Sequence, residues 1–163
     1  MASTVDKNSS RSMEVGTESH ERFLERTQLE ISRAERYCLF LSLIMVDLGE
    51  FARAMVNRQG QLKIDLDTVC SQIEAGLRNS LRLSDVISTF EKNRLGILLV
   101  ETSKANVDNV RIRIDMFVRD YLKGGLSLPF EPTLEVHTAS YPEESDRFSV
   151  LTSLLNRVQQ HMK

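Results

Sequence analysis

The nine-residue run from Cys38 to Val46, broken only by Ser42 and closed by Asp47, constrains this chain more than any other stretch. A membrane-spanning helix needs about 20 apolar residues, so the run is too short to cross a bilayer. Its apolar residues follow one another instead of alternating with polar ones. A strand built from it therefore carries apolar side chains on both faces and needs cover on both. The expectation is a central strand with helices against the sheet and Asp47 at its exposed end.

The remaining pattern supplies that cover. Residues 1–17 are polar, serine-rich and without periodicity, and are expected to form a disordered tail ahead of a domain over 18–163. A helix is predicted from Glu18 to Tyr37, with Leu24, Ile31 and Ala34 among its apolar positions. A short helix is predicted from Gly49 to Arg58. A longer one follows over Asp65 to Ser80, where Leu66, Val69, Ile73 and Leu77 recur at helical spacing. DVISTFE and RLGILLV then read as two strands joined at Lys92-Asn93, since asparagine tolerates the left-handed backbone of such turns. A helix from Ser103 to Leu122 places Val107, Val110, Ile114, Phe117 and Tyr121 on one face, with Thr102 or Ser103 as N-cap and Lys123-Gly124-Gly125 as its end. A strand over Thr133 to Tyr141 and a helix over Phe148 to His161 complete the order. Without the first and last helices this is an α+β fold with a ferredoxin-like βα(α)ββαβ core, a central sheet flanked by helices.

Composition narrows the function classes. At 163 residues, with 41% hydrophobic and 27% charged side chains, the chain suits one soluble globular domain. A formal charge of −2 gives no general reason to expect nucleic acid or an anionic membrane as partner. The N-terminus lacks the apolar core of a signal peptide, so a cytoplasmic location is expected. Cys38 and Cys70 lie within apolar patterns and are expected to be buried free thiols. His20, His137 and His161 are scattered, without metal-ligand spacing.

Four segments, LEISRAER (29–36), VDLGEF (46–51), RLSDVISTFEKNRLGILLVET (82–102) and TASYP (138–142), carry a resemblance. In this order and spacing the chain resembles GGDEF domains, which condense two GTP molecules into cyclic di-GMP, and the match extends over about residues 25–162. The resemblance implies a nucleotidyl-cyclase-like fold. It aligns Asp47 with a magnesium ligand, but the signature reads EKNRL. The second ligand position is held by Asn93, a neutral and weaker donor, and the adjacent Glu by Arg94, a cation where the metal's field should act. Glu91 and Lys92 replace two glycines that let backbone N–H groups approach phosphates. The family's guanine-contacting Asn falls on Met55, and its Asp partner can be matched to Asp67 only with a gap. The resemblance thus implies a chain without catalytic residues, metal or cofactor.

The same resemblance implies that a product-binding motif is intact. Arg82 and Asp85 match its RxxD, five residues ahead of the signature. An arginine fork fits the O6 and N7 acceptors of guanine, and a carboxylate can accept from N1–H and N2–H. Arg113, with Arg111 as neighbour, matches an arginine from the helix after the hairpin. Arg33 matches one that a partner domain contributes around a stacked ligand dimer. The expected ligand is cyclic di-GMP, read out through an unidentified protein partner or a homodimer.

Simpler roles stand beside these. Asp85 suits a cap at a strand start, Arg82 a solvated charge at a helix end, and Arg111, Arg113 and Arg119 the polar face of an amphipathic helix. For Arg33 the simpler role is preferred. A different class of function fits the same residues: a ligand-independent interaction scaffold in which both sites are relics.

Overall fold

The computed structural model describes residues 8–56, 65–90 and 93–142, with side chains from Glu21 onward except that of Phe90. The apolar run forms β1 (Leu41–Asp47), antiparallel both to β3 (Arg94–Val100) and to β4 (Glu135–Tyr141). β2 (Val86–Phe90) pairs with the far side of β3, giving the order β2-β3-β1-β4. This is the α+β nucleotidyl-cyclase-like architecture expected from the sequence. The hairpin turn brings Asn93 into the left-handed region at φ 59°, as its tolerance for that conformation predicts.

β1 is buried on both faces, and its side chains divide by parity. Ile44 and Val46, with Leu48 beyond the strand, join the larger core with Phe51 of α2 (Gly49–Val56) and Ile73 and Leu77 of α3 (Leu66–Arg78). Ile114 and Val118 of α4 (Lys104–Asp120) close that core. Leu41, Leu43 and Met45 face the other way, against Phe23, Ile31 and Ala34 of α1 (Asn8–Tyr37). The helix boundaries follow local chemistry. Asp65 caps α3 by accepting from Asp67 N–H at 3.2 Å, and α4 runs into a wider turn over Tyr121–Gly125.

Two expectations are corrected, the start of the first helix and the burial of Cys38. Helix α1 starts at Asn8 instead of Glu18, so 8–17 is helical where a disordered tail is expected, while residues 1–7 lie outside the described residues. Once a helix is nucleated each further residue adds a hydrogen bond, so it can outrun its apolar stripe. The stripe itself is Phe23, Thr27, Glu30, Ile31 and Ala34. It holds two polar residues that hydropathy spacing alone misses, and it leaves Leu24 half-buried. Cys38 is exposed, at φ 55°, in the link between α1 and β1. It follows the end of the helix and precedes the strand, so it shares neither element's buried face. The expected helix over 148–161 lies outside the described residues.

Cys70 is buried as expected, and burial, reinforced by Asp67 and Glu74, pushes its thiol up to about 11. Thiolate is the reactive form. At about pH 8, Cys38 should therefore react promptly with a disulfide reagent, and Cys70 only after unfolding. A second prompt thiol in the native protein would contradict this placement. The two-sided burial of β1 makes a sharper prediction: Leu43→Ala and Ile44→Ala, adjacent residues on opposite faces, should each cost about 2–5 kcal/mol in urea unfolding. A near-neutral effect at either position would mean that its face is not packed.

Candidate functional site

The loop that follows α3 is folded around Asp85. Arg82 N–H donates to Asp85 Oδ2 at 3.0 Å, and Asp85 N–H returns a bond to the Arg82 carbonyl at 3.0 Å. The carboxylate also accepts from Val100 N–H at 3.3 Å, which ties the loop to the end of β3. Its side chain is only 3% exposed. Asp85 is thus a staple whose oxygens are taken up within the fold, and the capping role considered for it is the one its geometry fits.

Arg82 is held by that staple but stays open to solvent. Its Nε and Nη2 donate to Asp85 at 3.4 Å each. Nη2 also reaches the Val100 carbonyl at 2.7 Å and Thr102 Oγ1 at 2.8 Å. The side chain is nevertheless 57% exposed. These contacts run through Nε and Nη2, so they fix the guanidinium plane against β3 and leave its outer edge toward solvent. Thr102 is in turn fixed from behind, because its carbonyl accepts from Ser42 Oγ of β1 at 2.7 Å.

Arg82 and Asp85 line a cavity of about 230 Å³ together with Ser80, Thr102, Asn106 and Arg113. The loop supplies one wall and α4 the other, so Arg82 and Arg113 share one cleft. Arg111 does not line it. It is exposed enough to pair with Asp108 at 3.7 Å, one turn back along α4. Arg33 is on α1, bound to the buried carboxylate of Glu30 at 3.1 Å and outside this cleft. Arg119 is committed to Asp115 and to the Pro132 carbonyl, as a helix-surface role implies. Asn106 is a lining residue that none of the motifs contains. Its helical spacing to Val110 and Arg113 places all three on one face and is the signal that could have found it.

The position aligned with a metal ligand has a different partner. The β1–β3 register sets Asp47 opposite Arg94. Arg94 Nε donates to Asp47 Oδ2 at 3.2 Å, and Gly49 N–H donates to Oδ1 at 2.8 Å. Asn93 contributes its carbonyl to Leu48 N–H at 2.9 Å. Among the described residues no group of three or more His, Cys, Asp or Glu side chains is placed to hold a metal ion. A divalent cation beside Asp47 would have to displace a guanidinium and tolerate its charge, so these residues do not fit the ion. Met55, aligned with a guanine contact, is buried in the core, and Asp67 is exposed on the first turn of α3.

No protein-family model matches the chain, and no curated protein does. Solved structures do. The GGDEF domain of TpbB (YfiN) from Pseudomonas aeruginosa superposes with a TM-score of 0.61 at 20% identity, covering 86% of this chain and 83% of that one. The active GGEEF domain of a diguanylate cyclase from Vibrio cholerae gives 0.57 at 16% identity, over 81% and 82% of the two chains. A microbial GGDEF domain described for its mode of interaction with cyclic di-GMP gives 0.52 at 14% identity, over 83% of each. The chain shares the fold of GGDEF domains. No helix among the described residues is long and apolar enough to cross a membrane.

The staple geometry separates the two residues of the motif by stability. Asp85→Ala strips a buried acceptor from Arg82 N–H and Val100 N–H and should cost about 2–3 kcal/mol. Arg82→Ala removes a half-exposed side chain and should cost about 1 kcal/mol. Chemical denaturation of both variants checks the order. Equal costs would show that Asp85 does not hold the loop.

Proposed function

We propose that this chain is a catalytically inactive GGDEF-type domain that binds cyclic di-GMP at the cleft between Arg82 and Arg113. The observation that carries the reading is a contrast between two sites. The carboxylate aligned with the metal ligand is neutralised by Arg94, while the arginines aligned with the product site face one cleft. Arg82 has Nε and Nη2 taken up within the fold, so it presents its outward Nη1, and not a full fork, to a guanine edge, which has acceptors at O6 and N7. Arg113 offers charge to the ligand's phosphates across the cleft. Asp85 acts as a positioning residue that sets the plane of Arg82. Arg111 is placed outside the contact set, and Arg33 can take part only in contact with a second domain. Ligand occupancy would be passed on through a protein partner or through dimerisation.

The neighbouring microbial domain that interacts with cyclic di-GMP supports the ligand class, since it shares the fold. The competing reading, a scaffold that ignores nucleotides, is favoured by one feature: Asp85 is already saturated within its own fold. Isothermal titration distinguishes the two. The wild type should bind cyclic di-GMP, and affinity should fall as salt rises because arginine–phosphate contacts are screened. Arg82→Lys should weaken binding by about tenfold or more, since a lysine ammonium cannot span the Asp85, Val100 and Thr102 contacts and still hold a donor outward in a fixed plane, and Arg113→Ala by a similar factor. Glu91→Gly with Lys92→Gly should not yield cyclic di-GMP from GTP and magnesium, because Asn93 and Arg94 remain. Absence of heat at tens of micromolar protein would reject the receptor and leave the scaffold.

A further inference from the structure

A larger cavity of about 700 Å³ lies on the other side of Arg82, between α1 and the corner where α3 turns into β2. Four arginines from three elements line it: Arg22 and Arg26 from α1, Arg78 from the end of α3, and Arg82 from the loop. Asp85 is the one carboxylate among its described lining residues.

The ion pairs around this cavity share one orientation. Arg26 is bound to Glu30 at 2.9 Å, with side-chain exposures of 44% for the arginine and 3% for the glutamate. Arg78 is bound to Glu74 at 2.6 Å, with 58% against 18%. Arg82 and Asp85 repeat the pattern, with 57% against 3%. In each pair the carboxylate is the less exposed partner and the guanidinium the more exposed one. A guanidinium has five N–H donors, so the carboxylate contact leaves most of those of Arg26 and Arg78 available, while Arg82, bound also to Val100 and Thr102, keeps its Nη1. The carboxylates therefore fix the cations in place without covering them. An array of this kind has its ordering cost met by the fold before a ligand arrives, which favours polydentate anion binding.

The rest of the lining is apolar. Phe23 closes the floor, and Leu83 projects from the rim fully exposed. A volume of this size falls within the range of about 300–1,000 Å³ typical of small-molecule sites. Several fixed guanidiniums beside an apolar rim suit a ligand with clustered phosphates and one planar group, which can stack on an arginine face or on Leu83.

We propose that this cavity is a second anion site, built for a nucleoside polyphosphate and separate from the Arg82–Arg113 cleft. The phosphates are held by Arg22, Arg26 and Arg78, and the base lies toward Leu83. Arg82 and Asp85 border both cavities, so the test uses residues that border only one. It does not depend on what the cleft binds.

Equilibrium titration of the full chain with GTP, ATP and inorganic tripolyphosphate, without divalent cations, tests the assignment. At least one nucleotide should bind below about 1 mM, and tripolyphosphate about tenfold more weakly, because it lacks the base. The Arg26→Ala, Arg78→Ala pair should lower nucleotide affinity by about tenfold or more, while Arg113→Ala should leave it within about twofold. The Arg26→Lys, Arg78→Lys pair keeps Glu30 and Glu74 matched in charge, which protects the fold. It should still weaken binding, because lysine cannot chelate a phosphate. Failure of both nucleotides to bind would overturn the proposal. So would binding that ignores both double variants, is lost in Arg113→Ala instead, or equals that of tripolyphosphate.

Discussion

Burial of β1 on both faces is the constraint from which the rest of the molecule follows. Its even-numbered apolar residues need α2, α3 and α4, and its odd-numbered ones need α1. Neither helix layer is optional, because removing one would return a row of large apolar side chains to water at about 25 cal/mol per Å². With β1 central, its last residue, Asp47, must emerge at the hairpin end of the sheet, opposite Arg94. Ser42, near the other end of β1, reaches Thr102, and Thr102 reaches Arg82. The two candidate positions are thus placed by one strand, at opposite ends.

Charge decides what each end can do. At the hairpin end a carboxylate and a guanidinium, each 24% exposed at the side chain, are paired across the register. Removing one partner from such a half-buried pair leaves the other partly desolvated, so the pair is self-sustaining and hostile to a second cation. At the loop end the balance is reversed. Buried or partly buried carboxylates hold half-exposed arginines outward, and the surface there is cationic although the chain as a whole is slightly acidic. Net charge alone conceals that asymmetry, since it averages a local arrangement over the whole surface.

Much of the fold was legible because it rests on short-range rules. The unbroken run Leu41–Val46, the helical spacing of Val69, Ile73 and Leu77, and the left-handed Asn93 each follow from local sterics and hydropathy. What was not legible depends on side chains meeting across the fold. Thr27 and Glu30 are polar, yet they lie on the buried stripe of α1. Cys38 continues an apolar pattern in sequence but falls in the link before the strand begins. Arg111 and Arg113 look equivalent in sequence, and a turn of about 100° per residue along α4 puts only the second on the cleft. Asp85 was recognisable as part of a motif. Its burial, and hence its role as a staple, depends on Val100, which is distant in sequence.

The central proposal is that ligand binding is concentrated on the arginine-lined end and not at the Asp47 end. Amide chemical-shift mapping during a titration with cyclic di-GMP in the presence of magnesium tests this most directly, because it reports every backbone site at once. Shifts clustered at residues 80–85, 100–106 and 110–114, with Asp47, Gly49 and Arg94 unmoved, are the predicted result. Shifts centred on residues 47–49 and 93–94 would contradict it, by showing that the ligand is drawn to the site where Arg94 neutralises Asp47.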